Sequence, residues 1–543
     1  MGEDRLFIVL LVVAIVVLLA RALARRLGVP DAILMVLLGI AAGFMPGLPA
    51  VSVSPQVVLL GFLPPLVYHA AFFSAPRETR SNAVPIFALA VGLTLVTTAA
   101  VAATVYGLLP GTGWAAAIAL GAAVAPTDAV AATSLMQRLG APPRLVTILE
   151  GESLINDGVA LTVFGLAVEA LHTPFTFGHS AVRLAQVVIG GVGYGLAVGL
   201  VVRRVRRQIS DPSSQIIVSL VTPYAAYIPA ESFGASGVLA AVVSGFYLGT
   251  RGEGLLQPAS RLLGTTFWRI VTFLLESALF VLLGLEIREL LHQPGGRSWW
   301  EVVWISLVVS AVVIGVRVAW ELGNGPIADL LPGGRVSQEG LHWRQRLVSG
   351  FAGLRGAISL AIALSIPAAA GPDRQLLVLL TALVVLVTLV GQAPLLPVLL
   401  RRFGLVETDR GRREAMIARK AAVNAALVRL DELADADQVD ERTTDAFRQM
   451  LELRLERVEY FLDELEDDGG DGGGDEEEDE DEGSREDRGE PPGSRRVRAE
   501  LVRAQRAKLD TLYRRGKIGA ETVRQVGAEL DFAEPVSLSR PGT

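Results

Sequence analysis

Cysteine is absent from all 543 residues. Disulfides and thiolate metal sites are therefore excluded. The N-terminus also lacks a basic stretch ahead of its first apolar run and a small-residue cleavage site after it. Leu6 to Ala20, followed by Arg21, Arg25 and Arg26, reads as a first membrane span rather than a cleaved leader. What fills the chain instead is apolar. Hydrophobic residues make up 51% of it, in repeated runs long enough to cross a bilayer. This composition places it among polytopic membrane proteins. The net charge of −7 is a poor guide, because much of the acid lies in one run of the tail.

Thirteen candidate spans are counted, at about 5–24, 30–45, 55–74, 83–108, 113–136, 143–171, 181–202, 214–230, 234–250, 264–288, 299–321, 346–367 and 375–400. Alternate loops hold arginine: Arg21/Arg25/Arg26, Arg77/Arg80, Arg138/Arg144, Arg203/Arg204/Arg206/Arg207, Arg251/Arg261 and Arg335/Arg344/Arg346. The loops between them hold little beyond Arg288, Arg297 and Arg374. Basic loops stay on the cytoplasmic side, so the C-terminus is expected inside and the N-terminus outside the cell membrane.

Charged residues are scarce inside these spans, and those present cluster. Gly121 to Gly158 reads GAAVAPTDAVAATSLMQRLGAPPRLVTILEGESLINDG and carries Asp128, Glu150, Glu152 and Asp157. Ionisable groups at membrane depth are costly and mark function. Pro126 predicts a break in its helix, which frees carbonyls beside Asp128. Transporters build small-cation sites in this way. Glu152, Ser153, Asn156 and Asp157 form two adjacent stripes on one helix, Ser153 over Asp157 and Glu152 over Asn156. Consecutive spans run in opposite directions, so Asp128 and Asp157 can share one depth. Hydroxyl, carboxylate and freed carbonyl suit a hard monovalent cation. A carboxylate that holds either a proton or a cation, but not both, is the minimal exchanger. Arg355 also lies mid-span, in SGFAGLRGAISLAIAL, and a buried ion pair with Glu152 is the expected way to satisfy it. Glycines 350, 353 and 356 suggest tight packing or a second broken helix, and matching breaks in spans five and twelve favour an inverted repeat.

Glu276 lies mid-span in LLESALFVLLGLEI, where it lines an ion funnel or bonds across helices. His69 is read as a cavity-lining or hydrogen-bonded group. Arg317 and Arg269 are read as partners or snorkelling groups rather than ligands.

The segments APTDAVA, LEGESLINDGVAL, FLPPLVY (62–68) and FAGLRGAISLAIAL (351–364) resemble the monovalent cation:proton antiporters of the sodium/proton exchanger type, over roughly residues 5–402. The resemblance implies an all-α fold of about thirteen transmembrane helices, with inverted repeats and two broken crossing helices. It also implies a homodimer, in which a core domain moves against a dimerisation domain. Asp157 is then the cation and proton carrier. Asp128, Ser153 and the Thr127 carbonyl help coordinate the ion, and Glu152 and Arg355 form a stabilising pair. Asn156, where electrogenic relatives have a second aspartate, points to electroneutral exchange. Sodium is the expected cation, with lithium and potassium as alternatives. No cofactor or nucleic-acid partner is expected.

Two other classes use buried carboxylates. An intramembrane aspartyl protease would show a Gly-x-Gly-Asp segment, which is lacking. A cation channel would want a symmetric filter. Domain boundaries are expected at 1–403 for the transmembrane part, 404–466 for a helical region, 467–494 for an acidic Gly-rich linker and 495–543 for a last helical segment. The tail carries no recognisable binding motif, and reads as a solvated appendage that aids folding or assembly.

Overall fold

The computed structural model describes residues 3–27, 31–45, 54–74, 82–171, 177–209, 211–252, 258–292, 298–330, 342–367, 373–406, 408–467 and 494–533. Among these residues the regular elements are all helical. The chain forms two compact units, Met1–Val406 and Glu407–Thr543.

The first unit contains helices α1 (Glu3–Leu27), α2 (Asp31–Gly43), α3 (Pro55–Phe72), α4 (Ala83–Leu108), α5 (Trp114–Val124), α6 (Ala129–Arg138), α7 (Pro143–Ala170) and α8 (Phe177–Arg206). They are followed by α9 (Pro212–Ser232), α10 (Gly237–Gly252), α11 (Pro258–His292), α12 (Trp299–Leu330), α13 (Trp343–Phe351), α14 (Ala357–Leu364), α15 (Asp373–Gln392) and α16 (Leu395–Arg402). Eight helices among the described residues are long and apolar enough to cross a membrane; α2, α5 and most of α10 are shorter apolar helices.

Local chemistry sets several ends. Proline opens α3, α7 and α9, where its missing N–H is no loss. Asp211 caps α9, accepting from the backbone N–H of Ser214 at 2.7 Å. In α3 a wider turn at Val58–Phe62 precedes Pro64 and Pro65, and this looser winding makes room for rings that an α-helix would clash with.

The helices pack as two groups. In one, α2 lies on α1 and α11, and α10 lies on α3, α8 and α9. In the other, α5 lies on α4, α7 and α14, and α12 lies on α4, α13 and α15. The groups meet where α11 and α3 touch α14 and where α7 touches α10. The predicted single spans 113–136 and 346–367 are each split into two half-helices, α5/α6 and α13/α14.

The second unit comprises α17 (Thr408–Asp435), α18 (Glu441–Asp467), α19 (Ser494–Arg514) and α20 (Ala520–Ala533). Ala418, Ala422, Val502, Leu509 and Val526 form one apolar cluster, and Ala426, Leu430, Phe447, Leu451 and Leu501 form another. Arg429 bonds Glu432 and Glu500 at 2.8 and 3.0 Å on the surface, where such pairs contribute little. The expected acidic linker falls almost wholly on 468–493, outside the described residues.

Candidate ion site at two crossing helix breaks

The sequence Ala125-Pro126-Thr127-Asp128 does what its proline requires. α5 stops at Val124, α6 starts at Ala129, and the backbone between is unwound. The second break lies in Gly353-Leu354-Arg355-Gly356. The two unwound stretches cross, and Asp128 N–H donates to the carbonyl of Leu354 at 2.7 Å. Each interruption thus satisfies part of the other's freed backbone.

The ends of the half-helices set the electrostatics. The last carbonyls of a helix have no partner within it and carry partial negative charge. Arg355, 1% exposed, meets them: its Nη1 donates to Ala125 O and, at 2.8 Å, to Pro126 O. Ser359 adds a bond to Pro126 O at 3.5 Å. Asp128 lies against Gly356 at the start of α14, where a positive helix end favours a carboxylate. A Cβ on Gly356 would overlap the Asp128 carboxyl, and one on Gly353 would overlap the Arg317 side chain. Gly356→Ala should therefore lose about 1–3 kcal/mol through overpacking. Thermal unfolding of the purified variant should show a lower midpoint, and an unchanged midpoint would contradict this close approach.

The expected Glu152–Arg355 pair is corrected by the structure. Glu152 instead accepts from Arg317 Nη1 and Nη2 at 2.5 and 2.8 Å, a bidentate pair in which both residues are 1% exposed. Arg317 is thus a buried partner and not a snorkelling group, whereas Arg269 is exposed on α11. A mid-span arginine need not take a carboxylate, because the carbonyls at a broken helix end are also negative and satisfy Arg355. The signal was present: Arg317 and Glu321 stand four apart in an apolar helix, VIGVRVAWEL.

The α7 stripe closes the site. Ser153 Oγ donates to Thr127 O at 2.8 Å, and Asn156 Nδ2 donates to Thr127 Oγ1 at 2.8 Å. Thr127 Oγ1 in turn donates to Glu152 Oε1 at 3.5 Å. Asn156 thereby ties α7 to the unwound loop through its amide nitrogen, while its Oδ1 is buried without a hydrogen-bond partner. Asp157 is 4% exposed, its Oδ1 is buried without a hydrogen-bond partner, and Asp128 and Glu152 are its nearby acidic neighbours. The next residue, Gly158, packs against Leu239 of α10, so Asp157 lies at the junction of the two helix groups. Across that junction Glu276, half-buried on α11, is within electrostatic reach of Asp128 and of Asp31 at the start of α2. His69 stands apart, its ring tilted against those of Phe73 and Trp268 at 4.8 and 5.8 Å between ring centres.

The breaks and α7 bring a hydroxyl, a carbonyl and carboxylates into one neighbourhood, and no cluster of His, Cys, Asp and Glu suited to a resident metal occurs among the described residues. Residues 11–402 match the family described as sodium/hydrogen exchanger, transmembrane. An uncharacterized Na+/H+ exchanger of Mycobacterium tuberculosis (strain H37Rv) is 36% identical over 449 residues, covering 80% of this chain and 82% of that protein. The low-affinity Na+/H+ antiporter NhaS1 of Synechocystis is 30% identical, covering 85% of this chain and 86% of its own. The fold is similar to that of the sodium proton antiporter MjNhaP1 of Methanocaldococcus jannaschii, with a TM-score of 0.60 and 17% identity over 74% of this chain and all of that one. The broken helices, the buried carboxylates and these similarities agree, and they leave the protease and channel readings without support: the chain belongs to the sodium/hydrogen exchanger family of membrane transporters.

Proposed function

We propose that this protein exchanges a monovalent cation, sodium before lithium or potassium, for protons across the cell membrane, with Asp157 as the shared carrier. The observation that carries this reading is the buried Asp157 carboxyl, one oxygen of which has no hydrogen-bond partner. A carboxylate removed from water costs far more than a domain's net stability unless a partner compensates it. A proton or a cation supplies that compensation, and the two exclude each other. Ser153 gives its proton to Thr127 O, which leaves the serine lone pairs for the ion. Asp128 and the Thr127 carbonyl complete the oxygen set, and Glu276 with Asp31 lines the approach. Asp157 lies where two helix groups meet, so rocking of one group against the other would expose it to each side in turn.

Asn156 binds Thr127 and adds no titratable group beside Asp157. One charge therefore moves each way, and exchange is electroneutral. The arginine alternation orients the protein, with its tail in the cytoplasm, and a homodimer is the assembly expected from the resemblance. The test is cation-driven proton movement in proteoliposomes with sodium, lithium and potassium compared. Exchange in both directions without transport current is the expected result. A current under an ion gradient would refute electroneutrality, and no exchange with any of the three would refute the reading.

A further inference from the structure

α12 carries a second buried acid, Glu321, one turn beyond Arg317 and 5% exposed, which the carrier reading does not use. Ser349, near the end of α13, touches both side chains. Its carbonyl accepts from Arg317 Nε at 3.1 Å, and its hydroxyl donates to Glu321 Oε1. The charged groups acting on Glu321 are Arg317 on its own helix, Glu152 from α7 and Arg346 from α13. Two carboxylates thus face one guanidinium that is fully committed, by both of its terminal nitrogens, to the other acid.

We infer that Glu321 is a positioning residue of the ion site, whose charge sets how firmly Arg317 holds Glu152. The chain of contacts is short. Arg317 holds Glu152, Glu152 accepts from Thr127, and Thr127 presents its carbonyl beside Asp128. With a proton on Glu321, Arg317 belongs to Glu152 alone and the unwound loop is held. With Glu321 ionised, both acids draw on Arg317, and the grip on the loop loosens. Such like-charged sharing around one cation makes a site respond to proton concentration. By the arginine alternation α12 runs from the outside inward, so Glu321 lies on its cytoplasmic half. Cytoplasmic pH, acting through Glu321, then tunes the site without Glu321 touching the ion.

This inference rests on the exchange reading, and one measurement separates the two. Sodium-driven proton exchange is recorded in proteoliposomes while pH is varied on the cytoplasmic side. Glu321→Gln keeps the shape and removes the charge, so its activity midpoint should shift from wild type by roughly half a pH unit or more. Glu321→Asp keeps the charge and should stay near wild type. Ser349→Ala removes the donor that Glu321 accepts, so its midpoint should also move from that of wild type. Coincident profiles for wild type and Glu321→Gln would overturn the positioning role while leaving exchange standing. Absence of exchange in the wild type would remove both. Should Glu321→Gln fail to fold, an unmoved profile in Ser349→Ala would overturn the inference by itself.

Discussion

Asp157→Asn is expected to fold and to reach the membrane in normal amount, yet to show no more cation-driven proton exchange than empty liposomes. Asparagine nearly reproduces the volume and polarity of the acid, and Asp157 makes no ion pair whose loss would unbalance the interior. The change should even relieve repulsion, because Asp128 and Glu152 are its charged neighbours. What it removes is the alternation between two occupants. An amide accepts neither a proton near neutral pH nor a cation's full charge. Binding and release then no longer couple to the movement of the helix groups. The measurement is proteoliposome exchange with purified variant beside wild type, with thermal unfolding to show equal stability. Wild-type turnover in the variant would transfer the carrier role to another group, Asp128 being next in line.

Part of this site was legible in the sequence because membrane physics makes it so. Proline at 126 cannot continue a helix, and the break is where it predicts. Four-residue spacing on α7 places Ser153 and Asp157 on one stripe and Glu152 and Asn156 on another, independent of tertiary detail. Acids at membrane depth stand out against an apolar background. Pairing was less legible. Spacing gives the face of a helix but not which helix it meets, so the mid-span Arg355 reads as the partner of Glu152 and Arg317 only as a partner or snorkelling group, whereas Arg317 holds Glu152. Arg355 proved to serve the carbonyls at the end of α5, which no residue type advertises. Glu276 shows the same limit: its depth was readable, but its closeness to Asp128 and Asp31 depends on how α2 and α11 pack. Glu321 lies near the end of its apolar run, where an acid is unremarkable on composition alone.

Removing Arg317 should be the most damaging single change to stability. Glu152 and Glu321 would then face each other in a buried site without the guanidinium that separates them. Breaking a buried pair costs about 3–5 kcal/mol, because it strands a charge out of water. Glu152→Gln should cost less than Arg317→Gln, since Arg317 keeps Ser349 and can turn to Glu321. The double variant Glu152→Gln/Arg317→Gln should regain much of the loss, as neutral side chains of similar shape need no counter-charge. The alternative double variant Glu152→Gln/Arg355→Gln should regain far less, because Arg355 bonds to Ala125 and Pro126 and is reached by Glu152 only through its field. Unfolding midpoints and the recovered monodisperse fraction of the two singles and two doubles decide the matter. Rescue with Arg355 but not with Arg317 would reverse the assignment. Equal losses for Glu152→Gln and Arg317→Gln would mean that Glu321 does not share the arginine.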